Sequence, residues 1–287
     1  DKNVFFLVDK DGKFAAFMLN EEADKLISLK SDINALFNSP VLGYNSKDDI
    51  VYQFWANRDS HEVYYFDPKT DYAPTTAISS ISWDDPNFPN IEGFGVWAAK
   101  CNFTMGPDGK MYSRMLGGNL VRIDVENARG ENLTNGDLVG TKDGSAYGLV
   151  FDPQDENVFY FSNNDKHCIY KYDLRTKECA CWAGQEGKSG YLDGPIGQAM
   201  FNKPGQMCVD SEGNIILTDT ENHCIRKITM STGYVSTLAG KPQNSGYVNG
   251  SAEDAQFKKP LGICIDNDDV MYIGDSENRA IRRLAVE

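Results

Sequence analysis

Histidine is scarce here: the 287 residues contain three, His61, His167 and His223. A zinc site built on several imidazoles would need all of them to converge. No C-x-x-C pair occurs, which removes the commonest zinc and redox-motif spacings. There is no Ser-His-Asp order, no His-x-Glu pair and no phosphate-gripping glycine loop, so neither catalytic nor metal-ligating residues are assigned. No apolar run approaches the roughly 18 residues of a spanning helix, and membrane insertion is not expected. Basic residues are also few, 28 Lys and Arg against 42 Asp and Glu, for a formal charge of −14. Such a chain repels polyanions, which excludes nucleic acid as a partner. The chain opens at Asp1 without Met or a signal segment, so it reads as a mature or trimmed fragment whose targeting information lies upstream.

What is present is repetition. Ser189-Gly-Tyr-Leu-Asp-Gly194 returns as Ser245-Gly-Tyr-Val-Asn-Gly250, and Phe201-Asn-Lys-Pro204 as Phe257-Lys-Lys-Pro260, each 56 residues on (189 to 245, 201 to 257). The same offset relates Asp219 to Asp275, Asn222 to Asn278, Arg226 to Arg282 and His167-Cys168 to His223-Cys224. Within a unit, four short apolar runs alternate with turn residues such as Ser211-Glu-Gly213 and Thr232-Gly233. Four antiparallel strands per repeat, with no helical period between repeats, describe a propeller blade. Divergent copies fill the N-terminal half, one of them with strands expected near 41–45, 49–56, 62–67 and 75–78. The expected fold is all-β, a six-bladed β-propeller with four-stranded antiparallel blades over residues 1–36, 37–80, 93–138, 145–184, 201–240 and 257–287. The first and last units show only three runs each. The expectation is that the first holds strands two to four, the last strands one to three, and that residues upstream of Asp1 complete both.

The string Phe257-Lys-Lys-Pro-Leu-Gly-Ile-Cys-Ile-Asp266, with Val270-Met-Tyr-Ile-Gly-Asp275, Asn278 and Ile281-Arg-Arg283, resembles the NHL-repeat signature. The Gly-Tyr-x-Asp/Asn-Gly and Phe-x-x-Pro linker is similar to that of secreted Bacteroidetes NHL proteins associated with TIG domains. The resemblance implies an extracellular, periplasmic or surface-anchored location and an N-terminal TIG-like domain in the parent chain. It fixes fold better than function, because propellers host both binders and enzymes.

The seven cysteines read as unpaired, small buried hydrophobes. Cys168 and Cys224, and Cys208 and Cys264, are repeat equivalents that neighbouring blades hold too far apart to bridge. Residues recurring in every blade are packing devices more often than catalysts. Arg226 and Arg282 are accordingly expected to pair with Asp219 and Asp275 between blades, and the histidines to be turn residues.

Function should sit on the face where the second-to-third turns and the blade-to-blade crossovers emerge. That face carries Asp193, Asp219, Glu221, Asp275 and Glu277 in the regular units, which makes it acidic. In the divergent units it carries Trp55, then Trp83, Phe88 and Trp97 within the Pro- and Gly-rich crossover 79–98, read as an irregular loop. Aromatics flanked by Asp and Asn suit sugar rings, while the same rings could instead cover a blade edge. The seven residues Trp55, Trp83, Phe88, Trp97, Asp193, Asp219 and Asp275 are the candidate ligand contacts. The favoured reading is a recognition module for a glycan or protein ligand, with no cofactor. The alternative is a metal-dependent hydrolase or lyase using an axial Ca²⁺ held by channel carboxylates.

Overall fold

The computed structural model describes residues 104–114, 118–134 and 147–285 with their side chains, and before them the segments 4–10, 13–19, 26–34, 41–45, 50–56, 61–70, 74–78 and 82–84, chiefly as backbone. The chain divides into two compact units, Asp1–Gly136 and Asp137–Glu287.

The first unit holds three sheets among the described residues. Strands β1 (Val4–Lys10), β2 (Lys13–Leu19) and β3 (Leu26–Asn34) form one antiparallel meander. Strands β4 (Val41–Asn45), β5 (Ile50–Ala56), β6 (His61–Phe66) and β7 (Pro74–Ile78) form the second. β8 (Ser82–Trp83), β9 (Thr104–Met105), β10 (Met111–Arg114), β11 (Leu120–Asp124) and β12 (Arg129–Asn132) form the third, in the order β8-β12-β11-β10-β9. β1 lies beside β4 in the first unit. β8 corrects the sequence reading. The start of the crossover is not loop but a short strand parallel to β12, with Trp83 opposite Gly130. Asp84 reinforces it by an ion pair to Arg129 at 2.9 Å.

The second unit also has three sheets. β13 (Leu149–Phe151), β14 (Val158–Asn163), β15 (Cys168–Asp173) and β16 (Cys179–Gly184) run in simple order. β17 (Gly194–Pro195), β18 (Pro204–Val209), β19 (Ile215–Asp219), β20 (Cys224–Thr229) and β21 (Tyr234–Ala239) are ordered β17-β21-β20-β19-β18. β22 (Pro260–Ile265), β23 (Met271–Asp275) and β24 (Ala280–Leu284) complete the set. The innermost strands β13, β18 and β22 are neighbours, and each second strand packs on the next first strand, β14 on β18 and β19 on β22. β1 meets β4 in the same manner, as a second strand would.

Both faces of the β17–β21 sheet are buried, so β19 is buried along its whole length, with Ile215, Ile216 and Leu217 in an unbroken apolar run rather than alternating with polar residues. Ile215, Leu217, Ile228 and Val235 pack against Val150, Tyr160 and Ile169 of the preceding sheet. Ile216, Ile225 and Ala239 pack against Ile263, Met271 and Ile273 of the next. Phe201 and Phe257, from the Phe-x-x-Pro linkers, fill the tops of these two interfaces. Each fully buried side chain of this size contributes roughly 1.5–3 kcal/mol.

The β18–β19 turn closes on Gly213, at φ +81°. In the next repeat Asp269 takes that left-handed position, at φ +59°, a conformation Asp tolerates better than most. Its carboxylate then accepts the Ser211 N–H at 2.9 Å, tying one turn to the next. Cys168, Cys179, Cys181, Cys208, Cys224 and Cys264 form no disulfide, whereas Cys101 lies outside the described residues. Among the described cysteines only Cys168 and Cys224 are buried, so the reading of all seven as buried hydrophobes is too broad.

Candidate functional site: the linker and turn face

The last two repeats of the second unit each present a short 3₁₀ turn after the second strand, Thr220–Asn222 after β19 and Ser276–Asn278 after β23. The turn ends on a residue in the left-handed region, His223 (φ 59°) or Arg279 (φ 54°). It docks on the linker before its own sheet. Glu221 N–H donates to the Asn202 carbonyl at 3.0 Å, and Asn222 Nδ2 donates to the Gly190 carbonyl at 2.8 Å. Turn and crossover therefore share one face, as expected.

At the centre of this face lies a buried arginine. Arg226 Nη1 donates to Asp219 Oδ2 at 2.7 Å and to the Met200 carbonyl at 3.1 Å. Its Nη2 donates to Asp193 Oδ1 at 2.6 Å and to the Leu192 carbonyl at 2.9 Å. The guanidinium is sandwiched between the rings of Tyr191 and Phe201, 4.9 and 5.1 Å from their centroids. Asp219 also accepts Asn202 N–H and Asn222 Nδ2. Burial pushes the Asp219 carboxyl up to about 6 against the opposing pull of Arg226 and its other donors. The last repeat rebuilds the same clamp. Arg282 binds Asp275, the carbonyls of Gln256 and Val248, and Asn249 Oδ1, between the rings of Tyr247 and Phe257.

This geometry corrects two expectations. The Arg–Asp pairs form within one sheet rather than between blades, because strands two and three are neighbours and the guanidinium's second edge reaches the preceding linker. Asp219 and Asp275 are fully buried and saturated by donors, so they hold the fold and present nothing to a ligand. Asp193 is partly exposed but is committed to Arg226 and to Thr237 N–H. The carboxylates the turns offer to solvent are Glu221, half-buried, and Glu277, exposed. Lys259 bridges both, at 3.4 and 3.1 Å, and Lys258 pairs with Glu277. The face is thus locally neutralised and less acidic than the sequence suggests.

The repeated histidines are latches. His167 Nδ1 accepts Lys203 N–H at 3.1 Å, and His223 Nδ1 accepts Lys259 N–H at 3.2 Å. An acceptor nitrogen must be unprotonated. Burial, then the Lys203 ammonium, hold His167 below its usual 6.5, with Asp165 opposing. The unfolded chain therefore takes up this proton first as pH falls. Stability from the latch is present above about 6.5 and is lost as pH drops from there toward the depressed value. Replacing His167 with Asn, which keeps an acceptor and tolerates the left-handed backbone, should narrow the fall in melting temperature between pH 7.5 and pH 5. Equal falls in variant and parent would reject the latch.

Of the aromatic candidates, Trp55 lies on β5 opposite Glu62, and Trp83 on β8 at the outer edge of its sheet. Phe88 and Trp97 lie outside the described residues. His61 opens β6 opposite Ala56. Among the described residues, no three His, Cys, Asp or Glu side chains converge as a metal-ligand set. Sequence reasoning missed the uncharged ties. Thr218 Oγ1 donates to the Leu261 carbonyl, and Gln206 Oε1 accepts Ile263 N–H at 3.0 Å. Gln206 stands where the next repeat has Gly262, and that departure from the 56-residue register was the available signal.

Comparison with known proteins agrees with this architecture. The NHL repeat family model matches residues 201–228. The Arabidopsis thaliana protein SUPPRESSOR OF QUENCHING 1, chloroplastic, is 25% identical over 271 residues, covering 88% of this chain and 25% of the relative. The chain thus spans about a quarter of that curated relative. A solved structure from Bacteroides thetaiotaomicron, of a protein of unknown function, is 21% identical, covers 99% of this chain and 69% of its own, and superposes with a TM-score of 0.79. An auxiliary nutrient binding protein of the same organism is also 21% identical, covering 98% and 68%, at a TM-score of 0.73. Residues 201–228 are an NHL repeat, and the chain has the fold of a β-propeller with four-stranded antiparallel blades, resembling the NHL-type propeller proteins of Bacteroides.

Proposed function

We propose that the chain is the recognition module of an extracellular or periplasmic protein, a six-bladed propeller that binds a glycan or protein ligand on its linker and turn face. The carrying observation is the saturation of the repeated polar residues. Asp219, Asp275, Arg226 and Arg282 are all occupied in holding linker to sheet. Recognition then falls to side chains that do not repeat, chiefly Trp55, Trp83, Phe88 and Trp97. The crossover carrying three of these has no Gly-Tyr-x-Asp/Asn-Gly motif and so is free of the clamp's constraint. A structural neighbour named as an auxiliary nutrient binding protein supports binding as the role and the cell exterior as the place.

The test is a glycan array and a thermal-shift screen of glycans and divalent cations on the intact chain. A ligand of the native state raises the melting temperature by mass action. Trp83→Ala and Trp97→Ala should each weaken the ligand found several-fold while leaving the unliganded melting temperature nearly unchanged. A stacked aromatic contributes about 0.5–1.5 kcal/mol beyond its buried area. Stabilisation by Ca²⁺ alone, with no glycan or protein hit, would overturn this reading in favour of the axial-metal enzyme. So would variants that lose stability and keep affinity.

A further inference from the structure

The sheet β13–β16 lacks the arginine clamp of the two repeats that follow it. Counting back 56 residues, Tyr170 stands where Arg226 stands and Asn163 where Asp219 stands. Cys181 takes the place of Thr237, the fourth-strand residue that the linker grips through Asp193 and Tyr191. Cys168 is the counterpart of Cys224, and the last repeat has Ala280 there. One sheet therefore puts two thiols on adjoining strands, at the level where the next sheet ties those strands together.

A β-bulge brings the two thiols together. The register runs Cys168 to Gly184, Ile169 to Ala183 and then Tyr170 to Cys181, so Trp182 is the extra residue. Trp182 and Ala183, though consecutive, both pack on the core shared with the next sheet, beside Ile169. Cys181 and Gly184 are thereby left together on the opposite face, with Cys168 and Tyr170. Gly184 carries no side chain, and the Cys181 sulfur lies 3.8 Å from the carbonyl oxygen of this residue, the one paired with Cys168. The thiols hydrogen-bond to each other. That bond, ahead of burial, raises Cys168 above the ordinary thiol range, and it holds Cys181 below that range against burial. Cys181 is thus the readier thiolate, and so the attacking nucleophile.

We propose that Cys168 and Cys181 are a redox couple, which closes a reversible disulfide between β15 and β16 when it meets a disulfide oxidant. The Cys181 thiolate attacks one sulfur of that oxidant, a low-molecular-weight or protein disulfide, and expels a thiolate. Cys168 then gives its proton to solvent, attacks the Cys181 sulfur of the mixed disulfide and expels the second thiolate. Two protein thiols thus lose two protons and two electrons, and the oxidant is reduced to two thiols. Diagonal neighbours across an antiparallel pair have Cα atoms about 7–8 Å apart, at the upper limit of what a bridge spans. A bond made there is strained and easily reduced, as a switch requires. Closed, it fastens the outermost strand where the next repeat uses an arginine and its linker. The couple does not depend on the recognition role proposed above.

The intact chain is equilibrated in glutathione buffers of graded oxidised-to-reduced ratio, quenched in acid, alkylated and weighed by mass spectrometry. Oxidation should yield a species lighter by two hydrogens, whose peptide map joins Cys168 to Cys181. Exchange of amides 179–184 should slow about tenfold in that species, the modest end of what a bridge confers. Reducing buffer should restore both thiols; a bridge that persists there is a permanent staple and overturns the switch. Cys181→Thr and Cys168→Ala, which install the residues that other repeats hold at these places, should show neither the mass change nor the slowed exchange. Both thiols remaining alkylatable at the most oxidising ratio overturns the proposal, as does a bridge to Cys179 or Cys101 instead. A lasting glutathione adduct on Cys181 also overturns it, because Cys168 would then have failed to displace the glutathione.

Discussion

Replacing Arg226 with alanine is expected to destabilise the second unit by about 3–5 kcal/mol, the range for removing one partner of a buried ion pair. Arg226 and Asp219 are both fully buried. Their attraction is offset by the cost of stripping two charges of water, so the pair itself adds little net stability. The loss arises from what remains: a buried Asp219 with its charge uncompensated, and the carbonyls of Met200 and Leu192 without their donor. Arg226→Lys should recover only part of this, because one ammonium cannot span Asp219 on one side and Asp193 on the other. The double variant Asp219→Leu/Arg226→Met should be more stable than Arg226→Ala alone. Arg282→Ala should cost less than Arg226→Ala, since the clamp around β24 is partly open to water that can solvate what is left. Urea titration with amide exchange over residues 204–239 localises the effect, which matters in a chain of two units where one global transition is not assured. Equal losses at Arg226 and Arg282 would show that the greater exposure of the second clamp has no energetic consequence.

The fold was legible because it repeats. Strands expected near 41–45, 49–56, 62–67 and 75–78 fall within a residue or so of β4 to β7, since period-two apolar runs between turn residues survive even where the motifs have diverged. The first and last sheets have three strands each among the described residues, matching the three apolar runs read in those units. The site was less legible, and the reason is chemical. An Asp at a strand end followed by Asn reads equally well as a ligand carboxylate or as an internal acceptor. Only the placement of Arg226 and Arg282, seven residues later on the adjoining strand, decides for the second. The acidity of the face was misjudged similarly, because Lys258 and Lys259 come from the linker and reach Glu221 and Glu277 only once the turn has docked. Trp83 was assigned to a loop because Pro and Gly follow it. A two-residue strand such as β8 carries no period of its own, and its existence depends on β12 offering an edge.

Phe201→Ala should be comparably damaging, about 3–5 kcal/mol as for other buried aromatics reduced to alanine. The ring is fully buried, joins Val150, Ile169 and Met207 in the core between two sheets, and forms one wall of the Arg226 sandwich. Its position also accounts for Gly184. That residue sits at φ +94°, where a side chain is strained, and a Cβ there would lie 2.9 Å from the Phe201 ring, 3.0 Å from the His167 carbonyl oxygen and 3.1 Å from Cys168 Cα. Gly184→Ala is therefore destabilising for three reasons, of which Phe201→Ala removes one. In a double-mutant cycle the pair should cost less than the sum of the singles by more than about 0.5 kcal/mol, the margin beyond which neighbouring sites are coupled. It should still cost more than Phe201→Ala alone, because the backbone clash and the positive φ remain. Strict additivity would mean that the ring does not hold the linker against the β15–β16 sheet. The Phe-x-x-Pro motif would then be a passive filler rather than the contact that seats the linker on the preceding repeat.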